Sequence, residues 1–215
     1  MPLPFDQHRY QVRFDWGLAG LTRLAAADLV VVVDVLRFSS TVTAAVERGE
    51  RVPLDDAARA VSINGAPVAQ AAAAMGTVVV LGCLRNAAAV ARAALDEQQR
   101  RGVRTSIAVI AAGEVGEAGE LRFSVEDLLG AGAIVDALSA RGIDHTSPEA
   151  AAACESFRGL RGAVGHLLTA SGSGQELIEH GMRDEVLRAA EVDASAAVPM
   201  LREGVFVSAE SSLRA

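Results

Sequence analysis

The stretch VVVVDVLRFSSTVTAAVERG, residues 30–49, decides the fold class of this chain. Four consecutive valines end at Asp34, and a pattern typical of a helix begins at Ser40. An apolar β-branched run without alternation is typical of a strand in a parallel sheet that is covered on both faces. The stretch therefore predicts a buried strand over Leu29–Val33 and, after a short turn, a helix over residues 40–48 that ends at Gly49.

The same order of elements occurs twice more along the chain. Residues 77–81 and Ile107–Ala111 are further runs of this kind, and helical patterns follow them at residues 87–100 and 125–140. Three strand–turn–helix units indicate parallel strands joined by helical crossovers, and therefore an α/β fold with a mixed, largely parallel sheet. The remaining expected elements are short strands at residues 12–14 and 205–207, helix over most of residues 147–197, and helix ends at Gly102 and Gly142.

Composition and charge limit the classes of function. With 215 residues, 51% of them hydrophobic, the chain is long enough for one domain, residues 1–215, with a sizeable core. The net charge of −7 argues against nucleic acid as a partner, because that binding depends on positive charge that neutralises phosphates. The two cysteines, Cys83 and Cys154, form no C-x-x-C pair, which argues against a zinc site or a disulfide framework.

No targeting segment or membrane span is recognisable in the sequence. The N-terminus lacks the basic segment and apolar core of a signal peptide. No uninterrupted apolar stretch reaches the roughly 18 residues that a membrane span needs. We therefore expect a soluble cytoplasmic protein without a membrane partner. The sequence leaves open whether it forms a homodimer.

Asp34 lies at the end of a predicted strand, and ligands of open α/β sheets bind beyond the carboxyl ends of the strands. Its carboxylate could ligate Mg²⁺, attack a phosphorus atom, or accept hydrogen bonds at the N-terminus of the following helix. Ser39 and Ser40 are better placed for the capping role, which favours a functional role for Asp34. Arg37, beside the same helix N-terminus, is suited to binding a phosphate or sulfonate group.

Three further segments offer candidate ligand-binding residues. Asn64 and Gly65 form a turn signal that could serve as an anion-binding loop. Asn86 precedes the helix after the second predicted strand, where it could cap that helix or contact a ligand. Gly113 begins a glycine-rich loop, residues 113–119, after the third strand.

Glu126 and Asp127 begin the helix after the third predicted strand. Ser124 and Asp127 have the spacing of a capping box, which would make Asp127 structural, and either acid could face Asp34 across the crevice. Cys83 fits a small buried core residue better than a nucleophile, because no histidine stands in a motif with it. A Cys83-dependent hydrolase nevertheless remains as an alternative. The four histidines are scattered and none ends a predicted strand, so we assign them no chemistry.

Phosphatases of the haloacid dehalogenase type also begin with a buried strand that ends in a nucleophilic aspartate. Their motif is D-x-D, and a lysine follows later in the chain. Here Leu36 occupies the second motif position, and the chain contains no lysine. The sequence therefore argues against that class.

Five segments, in order along nearly the whole chain, resemble motifs of the 2-phosphosulfolactate phosphatase family. They are DVLRFSST, NGA, GCLRNAAAVA, the stretch from VIAAGE to FSVEDLLGAGAIV, and SGQELIEHGMRDEVLRAAEVDASAAVPML. The resemblance implies a three-layer α/β/α fold. It also implies a Mg²⁺-dependent phosphatase that converts 2-phosphosulfolactate to sulfolactate and phosphate in coenzyme M biosynthesis.

Carried onto this chain, the resemblance implies roles for individual residues. Asp34 and Glu126 would bind Mg²⁺, and Arg37 and Asp127 would join them in catalysis. A small anionic phosphorylated substrate would be bound by Ser39, Ser40, Asn64, Gly65, Asn86 and Gly113. The chain departs from the family where only AARAV separates RVPLDD from SING. This shorter stretch supports an alternative, a non-catalytic anion-binding module that kept the fold and lost part of the active site.

Overall fold

The structure, a computed structural model, describes residues 4–55, 62–116 and 119–209. Its strands are β1 (Val12–Trp16), β2 (Leu29–Val33), β3 (Val52–Pro53), β4 (Val78–Gly82), β5 (Ile107–Ala111), β6 (Glu114–Val115), β7 (Leu121–Arg122), β8 (Pro199–Arg202) and β9 (Val205–Ser208). Its α-helices are α1 (Gly17–Arg23), α2 (Phe38–Glu47), α3 (Gly65–Ala74), α4 (Ala87–Arg101), α5 (Val125–Ser139), α6 (Pro148–Leu160), α7 (Val164–Ala170), α8 (Gly172–Glu179) and α9 (Arg183–Ala189).

Seven of the described strands form one sheet in the order β1-β5-β2-β4-β8-β9-β3. The first four are parallel to their neighbours, whereas β8 is antiparallel to β4 and leads through β9 to β3. The α/β class with a mixed, largely parallel sheet is thus confirmed. The short strands β6 and β7 pair with each other in a separate ribbon that directly follows β5 in the chain.

The unbroken valine run of β2 is explained by burial of both faces of the strand. Val31 and Val33 pack into a core with residues of α4, α5 and α6. Val30 and Val32 point the other way, into a core with residues of α1, α2 and α3. Each fully buried valine contributes about 1.5–3 kcal/mol relative to exposure. The sheet is therefore the middle of three layers, as the family resemblance implied.

The helices that follow neighbouring strands lie on opposite faces of the sheet. After β2 the chain crosses in α2 on one face, and after β5 it crosses in α5 on the other. A crevice opens at such a point, at the carboxyl ends of the two strands. Asp34 and Gly113, which follow β2 and β5, therefore lie at its rim.

The capping prediction for the helix after β2 is wrong. The helix begins at Phe38, and neither Ser39 nor Ser40 caps it, because both hydroxyls donate to main-chain oxygens of the preceding strand and turn. Instead, the carboxylate of Asp34 accepts a hydrogen bond from the main-chain nitrogen of Phe38. The capping role that the sequence favoured for the serines thus falls to Asp34.

The other predicted elements are present with small shifts in their bounds. The strand predicted at residues 77–81 is β4, which begins one residue later. The helices α6 to α9 fill most of residues 147–197. Gly49, Gly102 and Gly142 have φ of 80°, 67° and 80°, as predicted for glycines at helix ends. The short AARAV stretch, residues 57–61, lies outside the described residues. No helix in the described ranges is long and apolar enough to cross a bilayer.

Candidate active site

Asp34 is held in one orientation at the carboxyl end of β2. Its side chain is buried, and one oxygen accepts the hydrogen bond from Phe38 at 3.2 Å. The other oxygen accepts from the main-chain nitrogen of Gly65 at 3.0 Å and from the hydroxyl of Ser62 at 3.3 Å. These three donors come from the N-termini of α2 and α3, so the carboxylate lies between two helix starts, which favour negative charge.

Asp127 joins two strand ends, and the predicted capping box is wrong. The side chain of Ser124 makes no capping hydrogen bond. One oxygen of Asp127 accepts from the nitrogen of Val35 at 2.7 Å, and the other accepts from the nitrogen of Gly113 at 3.0 Å. The carboxylate therefore turns away from its own helix and toward the ends of β2 and β5.

Glu126 completes a cluster of three buried acids. Its side chain is buried, yet it forms no hydrogen bond or ion pair within the described part of the chain. The pKa of Asp34 is raised to about 6, mainly by burial; the charge of Glu126 adds to this rise, and the hydrogen bonds to the carboxylate oppose it. Burial also raises the pKa of Asp127 well above its usual range, and the charges of Asp34 and Glu126 add to the effect. The three carboxylates thus converge closely enough to repel one another.

A cavity of about 670 Å³, here called the acidic cavity, opens beside Asp34. Its polar lining also includes Arg37, Asn64, Glu114, Glu176 and His180. The guanidinium of Arg37 lies 3.2 Å from the carboxylate of Glu185 and is about a third exposed, which leaves donors free for an anion. The cavity therefore combines acids that could bind a cation with an arginine that could bind an anion.

Two predicted ligand residues at the turn before α3 lie at this cavity. The side chain of Asn64 lines it and accepts a hydrogen bond from the nitrogen of Val115. Gly65 donates its main-chain nitrogen to Asp34, and a β-carbon at this position would lie 2.5 Å from the Asp34 carboxylate. Only glycine allows so close an approach of the two segments.

The structure places the other predicted ligand residues away from the acidic cavity. Ser39, Ser40 and Asn86 are buried and do not line it. Asn86 donates to the main-chain oxygens of Leu81 and Ala197, so it joins the end of β4 to the segment before β8. The nitrogen of Gly113 is bound to Asp127. The predicted substrate contacts of these four residues remain untested, and their observed contacts are structural.

His180 is a cavity residue that the sequence reasoning missed. It follows α8, and its Nδ1 lies 2.7 Å from the main-chain oxygen of Glu176. That contact assigns the proton to Nδ1 in the neutral ring and leaves Nε2 without a described partner. No motif connects this helix end with a strand end 146 residues earlier, so only packing could reveal that His180 and Asp34 line the same cavity.

The donor set of the acid cluster suits Mg²⁺. This cation takes oxygen ligands and is usually bound by one or two carboxylates, while water and substrate phosphate complete its shell. Asp34 offers the oxygen that accepts only from Phe38, because its other oxygen already accepts two hydrogen bonds, and Glu126 is buried without a hydrogen bond among the described residues. In the described ranges, no three or more His, Cys, Asp or Glu residues form a group that could hold a metal ion. The cluster therefore fits a cation shared with a substrate better than an all-protein cage.

Fold and site define an α/β protein with an acid-lined cavity at the carboxyl edge of its sheet. The family model for 2-phosphosulpholactate phosphatase matches residues 55–204 of the chain. The chain therefore belongs to this family of phosphatases. The match includes Gly65 and Asp127 but begins after Asp34 and Arg37. The hydrogen bonds from Gly65 to Asp34 and from Val35 to Asp127 join the matched residues to the segment before them.

Proposed function

We propose that the protein is a Mg²⁺-dependent phosphatase that hydrolyses 2-phosphosulfolactate, or a related small anionic phosphomonoester, to sulfolactate and phosphate. The observation that carries the proposal is that Asp34, held by three hydrogen bonds, lines the same cavity as Arg37, and that two further buried acids, Glu126 and Asp127, begin the helix after the neighbouring strand. Membership in a phosphatase family supports the reaction type. Phosphoryl transfer depends mainly on positioning and charge neutralisation, which Asp34, Arg37 and a bound Mg²⁺ would supply.

The chain's own residues divide the work as follows. Asp34 and Glu126 would hold Mg²⁺, which when bound would neutralise their charge and polarise the phosphoryl oxygens. Asp34 acts either as a ligand alone or as the nucleophile, and its hydrogen bonds fix its direction for both roles. Asp127 positions the two strand ends, and Arg37 binds phosphate or sulfonate oxygens. His180, in its doubly protonated form, would donate the Nε2 proton to the leaving oxygen while Nδ1 keeps its hydrogen bond to Glu176.

The Asp34→Asn variant tests the proposal, and Asp144→Asn, at an exposed position, is the matched control. We expect Asp34→Asn to lower phosphatase turnover of 2-phosphosulfolactate at least about 100-fold, while circular dichroism shows a folded protein. Mg²⁺ should raise the melting temperature of the wild type and of Asp144→Asn but not of Asp34→Asn, because a ligand stabilises only the state that binds it.

Full activity of Asp34→Asn would contradict the proposal. The non-catalytic module is tested in parallel by calorimetric titration with sulfolactate and by a panel of phosphomonoesters. Binding of sulfolactate without turnover of any panel member, with or without Mg²⁺, would favour the module over the enzyme.

A further inference from the structure

A second cavity, of about 470 Å³, adjoins the acidic cavity. Leu36, Arg37, Thr41 and Leu177 line both cavities, so these residues form the wall between them. The second cavity extends from this wall to Arg85, which follows β4, and to Arg188 on α9. A molecule in the acidic cavity therefore has a neighbouring compartment at the same edge of the sheet.

The second cavity, here called the arginine cavity, is rich in arginine. Its ionisable lining consists of Arg37, Arg48, Arg85 and Arg188, with Glu47 and Glu185 as the acids. The lining itself thus has four arginines against two glutamates, while Glu50 pairs with Arg48 and Glu191 approaches Arg85 from outside it, in a protein whose net charge is −7. A concave positive surface in an acidic protein concentrates anions locally.

Arg85 carries the strongest sign that this cavity binds an anion. Its side chain is only 13% exposed, and its Nε is buried without a hydrogen-bond partner among the described residues. The nearest carboxylates lie 3.7 Å from Nη2, on Glu47, and 4.0 Å from Nε, on Glu191. Both distances are too long for a hydrogen bond. A buried charged donor without an acceptor is costly, and an oxyanion would supply the acceptor.

Arg188 adds a second donor that the protein itself does not engage. It is exposed and forms no ion pair within the described part of the chain, whereas Arg48 is paired with Glu50 at 2.6 Å and Arg37 with Glu185 at 3.2 Å. Arg85 and Arg188 are therefore the guanidinium groups most available to a ligand. Their planar forks match the oxygens of a carboxylate or sulfonate.

We propose that the arginine cavity binds the second anionic group, a carboxylate or sulfonate, of a substrate whose phosphate lies in the acidic cavity. The inference rests on the proposed function and identifies Arg85 and Arg188 as specificity residues. The acidic cavity has Asp34, Glu114 and Glu176 in its lining, so it attracts a phosphate poorly by itself. Binding energy from a remote, non-reacting group of the substrate would offset this repulsion.

The test compares ligands that differ in one anionic group and that no phosphatase can hydrolyse. Ethylphosphonate carries a phosphonate alone, and 3-phosphonopropanoate carries a carboxylate as well. Calorimetry with Mg²⁺ present should show wild-type protein binding 3-phosphonopropanoate at least about tenfold more tightly, since a charge-assisted hydrogen bond contributes that much. Arg85→Gln and Arg188→Gln should each reduce this preference about fivefold or more. The control Arg92→Gln, an exposed residue on α4 outside this cavity, should retain it.

Several results would overturn the inference. One is that the wild type binds 3-phosphonopropanoate no more tightly than ethylphosphonate. Another is that Arg85→Gln and Arg188→Gln both keep the wild-type preference. Arg188 is exposed, so its variant remains informative if Arg85→Gln does not fold. Sulfate that binds the wild type and not Arg85→Gln, without a preference for the two-anion ligand, would show a site for a separate anion and contradict the proposal. If the protein hydrolyses 2-phosphosulfolactate but does not prefer 3-phosphonopropanoate, only this inference is wrong. If it has the preference but no turnover, only the phosphatase proposal is wrong.

Discussion

The main-chain nitrogen of Val35 donates a 2.7 Å hydrogen bond to the carboxylate of Asp127, which lies 92 residues later in the chain. The other oxygen of this carboxylate accepts from Gly113, which follows the neighbouring strand. One buried side chain therefore sets the spacing of two strand ends and the first turn of α5. The same contacts fix the backbone beside Asp34 and Glu126, which are the chain neighbours of the bonded residues.

Asp127→Ala should destabilise the protein because it leaves two buried main-chain donors without acceptors. We expect the free energy of unfolding to fall by about 1–3 kcal/mol, since relief of a buried charge offsets part of the loss. Asp136→Ala is the control on the same helix, because Asp136 pairs with the half-exposed Arg158 and should contribute less than about 1 kcal/mol. Urea denaturation measures both, and equal effects would contradict the bridging role.

Gly65→Ala should displace Asp34 without unfolding the protein. The added β-carbon would lie 2.5 Å from the Asp34 carboxylate and 2.9 Å from the ring of Phe38, so the carboxylate must move. We expect phosphatase activity to fall at least about tenfold, because displacements of about an ångström are costly in catalysis. Gly159→Ala meets no atom within 4 Å and should retain full activity. Unchanged activity in Gly65→Ala would show that Asp34 need not be held there.

The raised pKa of Asp34 predicts a pH-dependent stability of the metal-free protein. The folded-state pKa is about 6 and the unfolded value is about 3.9, so the folded state binds the proton more tightly. The stabilising contribution is complete below about pH 4 and is lost as the pH rises through 6. The unfolding free energy of the wild type minus that of Asp34→Asn should therefore fall between pH 4 and pH 7, by a difference on the order of 2 kcal/mol. A flat or rising difference in chemical denaturation would contradict this assignment.

His180→Gln should slow turnover if this residue protonates the leaving group. General acid catalysis typically contributes 10²–10⁴-fold, so we expect kcat to fall at least about tenfold with KM changed little. His166→Gln, at an exposed position on α7, is the control and should be unaffected. A normal kcat and pH profile in His180→Gln would remove the residue from the mechanism.

Cys83 should be unreactive toward thiol reagents in the folded protein. The thiol is fully buried, and burial raises its pKa, which disfavours the reactive thiolate. Thiol reagents should label neither Cys83 nor the buried Cys154 rapidly in native protein, and should label both in urea. Cys83→Ser should retain activity, since a hydroxyl can keep the contacts with Thr43 and Asn86. Loss of activity in a folded Cys83→Ser would revive the cysteine hydrolase alternative.

Much of the fold was predictable because its signals are local. The valine run of β2 indicates two buried faces, and Gly49 indicates the end of a helix, since both depend on residues adjacent in the chain. The places of β8 and β9 in the sheet and the antiparallel pairing of β8 with β4 were not predictable, because strand pairing is a contact between distant segments. The same distinction explains the site, where Asp34 could be found at a strand end but His180 could not.

The amino-acid sequence by itself determined the α/β class, the strand that ends in Asp34, and the likeness to a phosphatase family, because periodicity and motifs are properties of neighbouring residues. Only the tertiary structure decided that Asp127 bonds to Val35 instead of capping its own helix, and that Asn86 is a buried link between strands. A polar side chain near a helix start has local and distant partners of similar chemistry. Which partner it binds depends on the packing of the three layers, which brings one within about 3 Å and leaves the other out of reach.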